Sequence, residues 1–114
     1  MNIIDAPISL PDLKVMAESR FGNLVKAVID VERKIMALDG ELHADEEALL
    51  LENGSRQENL WGINLYPEKF GSSDFVEFDS MINLRPSQNN RSRGIDDKKI
   101  QEKIIEIVKS KVKK

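Results

Sequence analysis

Two dipeptides, Asp39-Gly40 and Asn53-Gly54, constrain the possible folds of this chain more than any other local feature. Asp-Gly and Asn-Gly supply the left-handed backbone that a two-residue hairpin loop demands, and each is flanked by residues compatible with strands. Two consecutive hairpins are predicted between Val25 and Tyr66. A two-residue loop at Asp39-Gly40 sets Leu38 opposite Glu41, Met36 opposite His43 and Lys34 opposite Asp45. One face then collects Ala27, Ile29, Val31, Ile35, Ala37, Leu42, Ala44, Ala48 and Leu50. The other collects Asp30, Glu32, Lys34, Glu41, His43, Asp45 and Glu47. The second reversal sets Ile63 opposite Ala44 and Leu65 opposite Leu42, so Trp61, Ile63 and Leu65 join the apolar face.

A looser connection through Gly71-Ser72-Ser73 leads to a fourth strand, Phe75 to Leu84, where Val76, Phe78, Ile82 and Leu84 alternate with Glu77, Asp79 and Asn83. Helices flank this region. Ser9-Leu10-Pro11-Asp12 opens the first, with Ser9 as cap and Pro11 in the first turn; Leu10, Leu13, Met16 or Ala17, and Phe21 form its buried side, and Gly22 stops it. Ile95-Asp96 opens the second, with Asp96 as cap and Ile100, Ile104, Ile107 and Val108 as its stripe. The expectation is a single α+β domain over residues 1–114. Its architecture reads αββββα: a two-layer, four-stranded antiparallel meander with both terminal helices packed on the apolar face.

The length, 114 residues with 40% hydrophobic and 32% charged, suffices for one core without metal or disulfide staples. The absence of cysteine excludes disulfides, thiolate metal sites and cysteine nucleophiles. No apolar run approaches the ~18 residues of a spanning helix, and Met1 to Pro7 lacks the basic and apolar regions of a secretory signal. A cytoplasmic location without membrane association is expected. The net charge of −3 is unevenly spread: nine Lys or Arg against four acids make residues 91–114 +5 and leave the remainder −8. A basic end of this kind serves either as a contact surface for anions or as a complement to the helix dipole.

Arg85 to Gly94 is polar and turn-rich, and it gathers Arg85, Asn89, Asn90, Arg91, Ser92 and Arg93 just before a helix N-terminus. Free N–H groups and the dipole favour an anion there, and arginine forks bind phosphate or carboxylate in pairs. This loop is the first candidate ligand site. The plainer alternative is a solvated loop whose arginines pair with nearby acids. The series Glu41, His43, Asp45 and Glu47, with Asp30, Glu32, Glu77 and Asp79 on neighbouring strands, offers imidazole and carboxylates for a divalent metal, or His43 as a general base. Its spacing is that of any half-exposed strand, so a solvated face is the simpler explanation. Trp61 reads as a core anchor, and Gly62 as a bulge or the close approach of another segment. No phosphate-loop, dinucleotide, zinc-finger or serine-hydrolase pattern is present, so no cofactor is called for.

The strings Glu41 to Ser55, Leu60-Trp61-Gly62-Ile63-Asn64-Leu65-Tyr66-Pro67 and Ile82 to Gly94 resemble a group of short prokaryotic proteins of unknown function, over nearly the whole chain. The resemblance implies a free-standing prokaryotic domain and supplies no catalytic residue. Chemistry alone suggests a binding domain that recognises an anionic group on RNA, a nucleotide or an acidic protein through residues 85–94. A metal-assisted or acid–base enzyme using His43, Glu41 and Asp45 is the second reading. An interaction module, dimeric through a sheet edge or the acidic face, is the third.

Overall fold

The computed structural model describes residues 1–114. In chain order the elements are β1 (Asn2–Ile4), β2 (Ile8–Ser9), α1 (Leu10–Arg20), β3 (Val25–Asp30), β4 (Ile35–Leu38), α2 (His43–Glu52), β5 (Leu60–Leu65), β6 (Val76–Glu77), α3 (Lys98–Lys111) and β7 (Val112–Lys113). Five strands form an antiparallel sheet in the order β1-β4-β3-β5-β6, and β2 pairs in parallel with β7. The α+β class and the antiparallel sheet agree with expectation. The four-stranded meander does not.

The first departure is the hairpin. β3 and β4 pair with Ala27 opposite Leu38 and Asp30 opposite Ile35, so the reversal falls at residues 31–34 rather than at Asp39-Gly40. Asp30 builds this turn from inside the sheet. Its Oδ1 accepts from the amides of Glu32 and Arg33, both at 2.9 Å, and its Oδ2 accepts from Ser55 Oγ at 2.6 Å. Lys34 takes the left-handed backbone (φ 57°) that closes it. A carboxylate bonding to amides two and three residues ahead does here what glycine does elsewhere.

The second departure is the segment after Asp39-Gly40, predicted as a strand and folded as helix α2. Ala, Glu and Leu dominate His43 to Glu52, and these are the strongest helix formers. Asn53-Gly54 ends that helix: Gly54 has φ 95°, Ser55 N–H donates to Leu50 O at 3.0 Å, and Gly54 N–H donates to Leu51 O at 3.2 Å. This is a Schellman cap, which needs the same left-handed residue as a hairpin loop. Asp39 is likewise left-handed (φ 65°) and turns the chain out of β4 toward α2.

Consequently the helices occupy both faces of the sheet. α1 and α3 cover the face bearing Ala27, Ile29, Met36, Leu38, Trp61, Ile63 and Leu65 through Leu13, Ala17, Ile104, Ile107 and Val108. Leu50 of α2 covers the opposite face, against Val28, Ile35, Ala37 and Leu60. The inward direction of Trp61, Ile63 and Leu65 agrees with the sequence reading, whereas Ile35 and Ala37 point the other way because the chain reverses at residues 31–34 and sets Ile29 opposite Met36, where an unbroken strand would keep Ile29, Ile35 and Ala37 on one face. Full burial of a side chain such as Ile29 or Ile63 contributes roughly 1.5–3 kcal/mol. No helix is long and apolar enough to cross a membrane.

The terminal helices follow their signals closely. Ser9 accepts from Asp12 N–H at 3.2 Å, Gly22 has φ 90° just past the end of α1, and Ile104, Ile107 and Val108 are buried as the stripe requires. Two details differ. Phe21 is exposed, and the cap of α3 is Asp97, not Asp96.

The expected fourth strand survives only as β6. After Glu77 the chain leaves the sheet and coils over β5 in a 3-10 turn at Met81–Asn83. Gly62 makes room for it. A Cβ at this position would lie 2.6 Å from both Cβ and Oγ of Ser80 and 3.1 Å from Ile82 Cγ1. Gly62→Ala therefore forces the turn outward, and urea unfolding is expected to show a loss of about 1–3 kcal/mol. Gly94→Ala, where the nearest contact is 3.4 Å from Phe78 O, serves as the mild comparison.

Candidate functional site

The outer edge of β5 is covered by β6 only at Asn64 and Leu65, which leaves the backbone from Leu60 to Gly62 in need of partners. Side chains from the turn and loop that follow provide them. Asn83 presents its amide like a short piece of strand: Oδ1 accepts from Gly62 N–H at 2.8 Å, and Nδ2 donates to Gly62 O at 2.9 Å and to Arg93 O at 3.0 Å. Arg85 donates from Nη2 to Leu60 O and from Nη1 to Gln57 O and Gln88 Oε1. Its guanidinium carbon lies 4.2 Å from the Trp61 ring centroid, and burial lowers its pKa from the ordinary arginine value.

This geometry fixes the fate of each residue in the expected ligand loop. Arg85 and Asn90 are buried. Asn90 Nδ2 donates to Asn83 O (2.7 Å), Gly94 O (2.8 Å) and Ser92 O (3.1 Å), while its Oδ1 accepts from Asp96 N–H at 2.8 Å. Ser92 Oγ donates to Asp96 Oδ1 at 2.7 Å, and Arg91 N–H donates to Asp96 Oδ2 at 3.0 Å. These two bonds hold Asp96 below the ordinary carboxylate range. The N-terminus of α3 is already occupied by acid, since Asp97 accepts from Lys99 N–H at 2.9 Å. Asn89 is a left-handed turn residue (φ 61°) facing solvent, and the side chains of Arg91 and Arg93 are exposed. Arg93 donates through Nε to Asp79 Oδ1 at 2.7 Å, which leaves its two terminal nitrogens uncommitted.

The expected acidic strand face does not exist, because its central members stand on or before α2. Residues two apart on a helix diverge by about 200°, so Glu41, His43, Asp45 and Glu47 cannot share a side. No three His, Asp or Glu side chains gather as a metal-holding group. His43, the first residue of α2, instead sits half-buried with Nε2 2.8 Å from Ile63 O. A carbonyl only accepts, so Nε2 carries the proton and Nδ1 is left as the basic nitrogen. Burial lowers the pKa of His43 from 6.5; Lys26 and Arg93 push the same way, while the Ile63 bond and Asp79 oppose them. Leu42, at the cap position of α2, supplies no side-chain hydrogen bond to the first turn. The structure thus brings Arg93, Lys26 and His43 to one uncapped helix end, and Lys26 has no signal in the sequence beyond its charge.

A family model described as protein of unknown function (DUF5674) matches residues 2–111. The chain belongs to this family. No curated protein and no solved structure matches the chain.

Glu46, on the inward side of α2, carries no distinguishing signal in the sequence because it lies in a run of acids. It is fully buried, with Oε2 accepting from Gly40 N–H at 2.9 Å and Oε1 without a partner. A Cβ on Gly40 would lie 2.8 Å from Glu46 Cγ, so the glycine is what admits the carboxyl. Desolvation pushes the Glu46 pKa from 4.5 up to about 9, outweighing the Gly40 bond and the attraction of Lys26. Between these values the folded chain holds a proton that the unfolded chain has lost. Stability is therefore highest below pH about 4.5 with respect to this group, and declines as pH rises toward 9, by on the order of a few kcal/mol. Glu46→Gln should flatten that decline in urea melts taken across the range; an unchanged slope would contradict the assignment.

Proposed function

We propose that the chain is a cytoplasmic binding domain for an anionic group, carried by RNA, a nucleotide or an acidic protein, received where the loop of residues 85–94 meets the first turn of α2. Arg93 is the loop member that makes the contact, with Lys26 and the free amides beside His43 completing the seat. The observation that supports this most is geometric: Leu42 leaves the first turn of α2 without a side-chain cap, and Arg93 keeps both terminal nitrogens free. Lys26 and Arg93 also repel a positive charge on His43, in part offset by Asp79. An anion relieves that repulsion, and unpaired helix N–H groups orient it. Asp79 holds Arg93 in place without using its terminal nitrogens, the atoms suited to a paired contact with phosphate.

Titration with a 5′-nucleoside monophosphate, followed by amide resonances, tests this. Saturable shifts at His43 and Ala44 are expected, weakening as salt is added, and Arg93→Ala should lower affinity by about three- to tenfold. Arg91→Ala should change it little. Shifts that are absent at millimolar nucleotide, or unaltered by Arg93→Ala, would contradict the proposal.

One feature favours the acid–base enzyme as a second reading. Burial disfavours the charged form of His43, its tautomer is set by Ile63, and Nδ1 makes no hydrogen bond in the protein. A general base needs that state. No nucleophile is paired with it, so binding remains the leading reading.

A further inference from the structure

A second candidate lies on the face of the sheet that α3 covers, where the sheet ends at β6 and α3 runs past it. The two enclose a cavity of about 530 Å³ lined by Phe70, Phe75, Val76, Ile105, Val108 and Val112. Its volume falls in the range of small-molecule sites. Phe70 and Phe75 meet edge to face, with centroids 5.1 Å apart, and form a rigid wall. Ile105 is an apolar position of α3 that the core leaves half-exposed; it lines both this cavity and a shallower extension bounded by Phe78, Gln101, Glu102 and Glu106.

Charge and edge length decide the class of occupant. Lys109 is the single charged residue of the main chamber, Glu102 and Glu106 border only the shallower extension, and Ser72 and Ser73 add hydroxyl groups. An ammonium at the border of an apolar chamber suits a carboxylate attached to an apolar body. A peptide added as a new strand suits it poorly. β6 is only two residues long, and beyond Asp79 the chain bonds to its own loop through Ser80 N–H and Arg93 O at 2.9 Å, which leaves little free edge for a second backbone. We infer that the space between β6 and α3 is a binding site for a small aliphatic or aromatic carboxylate, its chain on Ile105 and Val108 and its anionic end at Lys109. This site is independent of the anion seat at α2.

Octanoate is the probe, observed through the methyl resonances of Ile105, Val108 and Val112 in the full chain. Saturable shifts are expected with octanoate, and weak or no shifts with octylammonium. Lys109→Met should weaken octanoate about three- to fivefold, the size of one exposed ion pair. Ile105→Trp, a half-exposed position, should fill the chamber and abolish binding, with a melting curve to confirm that the variant is folded. Arg93→Ala should leave octanoate binding unchanged, which separates this site from the proposed function. Equal response to octylammonium, insensitivity to Ile105→Trp, or methyl shifts that follow protein concentration in place of octanoate would each overturn the inference; the last would assign the space to a second copy of the chain.

Discussion

The pairing of Asn83 with both backbone groups of Gly62 is the interaction on which most of this structure depends. β5 lies between β3 and a segment that is barely a strand, so its outer edge has no ladder from Leu60 to Ile63. A sheet edge buried without partners costs on the order of 1–3 kcal/mol for each unsatisfied group. One amide side chain satisfies two of these groups and ties them to Arg93 O, and Arg85 takes the carbonyl of Leu60. Gly62 and Asn83 are two halves of one arrangement, because the turn that carries Asn83 can approach only where β5 has no side chain.

That arrangement also explains which loop residues remain available for function. A loop of arginines and asparagines looks like a ligand site when read as free donors. In the folded chain Arg85 and Asn90 are structural, Asp96 has drawn in Ser92 and the Arg91 amide, and the end of α3 is capped by its own acids. Arg93 escapes because its partner, Asp79, engages only Nε. The unfilled position is instead at α2, where Leu42 cannot cap and two cations stand near His43. The apolar chamber at β6 arises from the same departure of the chain from the sheet, which leaves α3 longer than the strand beneath it.

Much of the fold was legible where a residue has one physical use. Ser9 followed by Pro11 and Asp12 is a helix start, Gly22 a helix stop, and the spacing of Ile100, Ile104, Ile107 and Val108 an apolar stripe. The alternation through Trp61, Ile63 and Leu65 gave the correct face. The failures have a common cause, which is that a left-handed residue serves a hairpin loop and a helix cap equally well. Asn53-Gly54 fits the first by sequence and is the second in the fold. The run His43 to Glu52 held enough Ala, Glu and Leu to decide the matter, but its alternating charges also fit a strand. The real hairpin carries no glycine or proline at all; buried Asp30 shapes it, and a single aspartate within an apolar run reads as a surface residue. Glu46 was hidden for a similar reason, as one acid among several.

Amide hydrogen exchange at Gly62, measured in the native chain and in Asn83→Ala, tests this account most directly. The account requires the Gly62 amide to be strongly protected in the native protein, and to lose that protection in the variant together with about 2–4 kcal/mol of stability from two newly unpaired backbone groups. A Gly62 amide that stays protected in a variant of undiminished stability would show that the edge of β5 is closed by something other than Asn83.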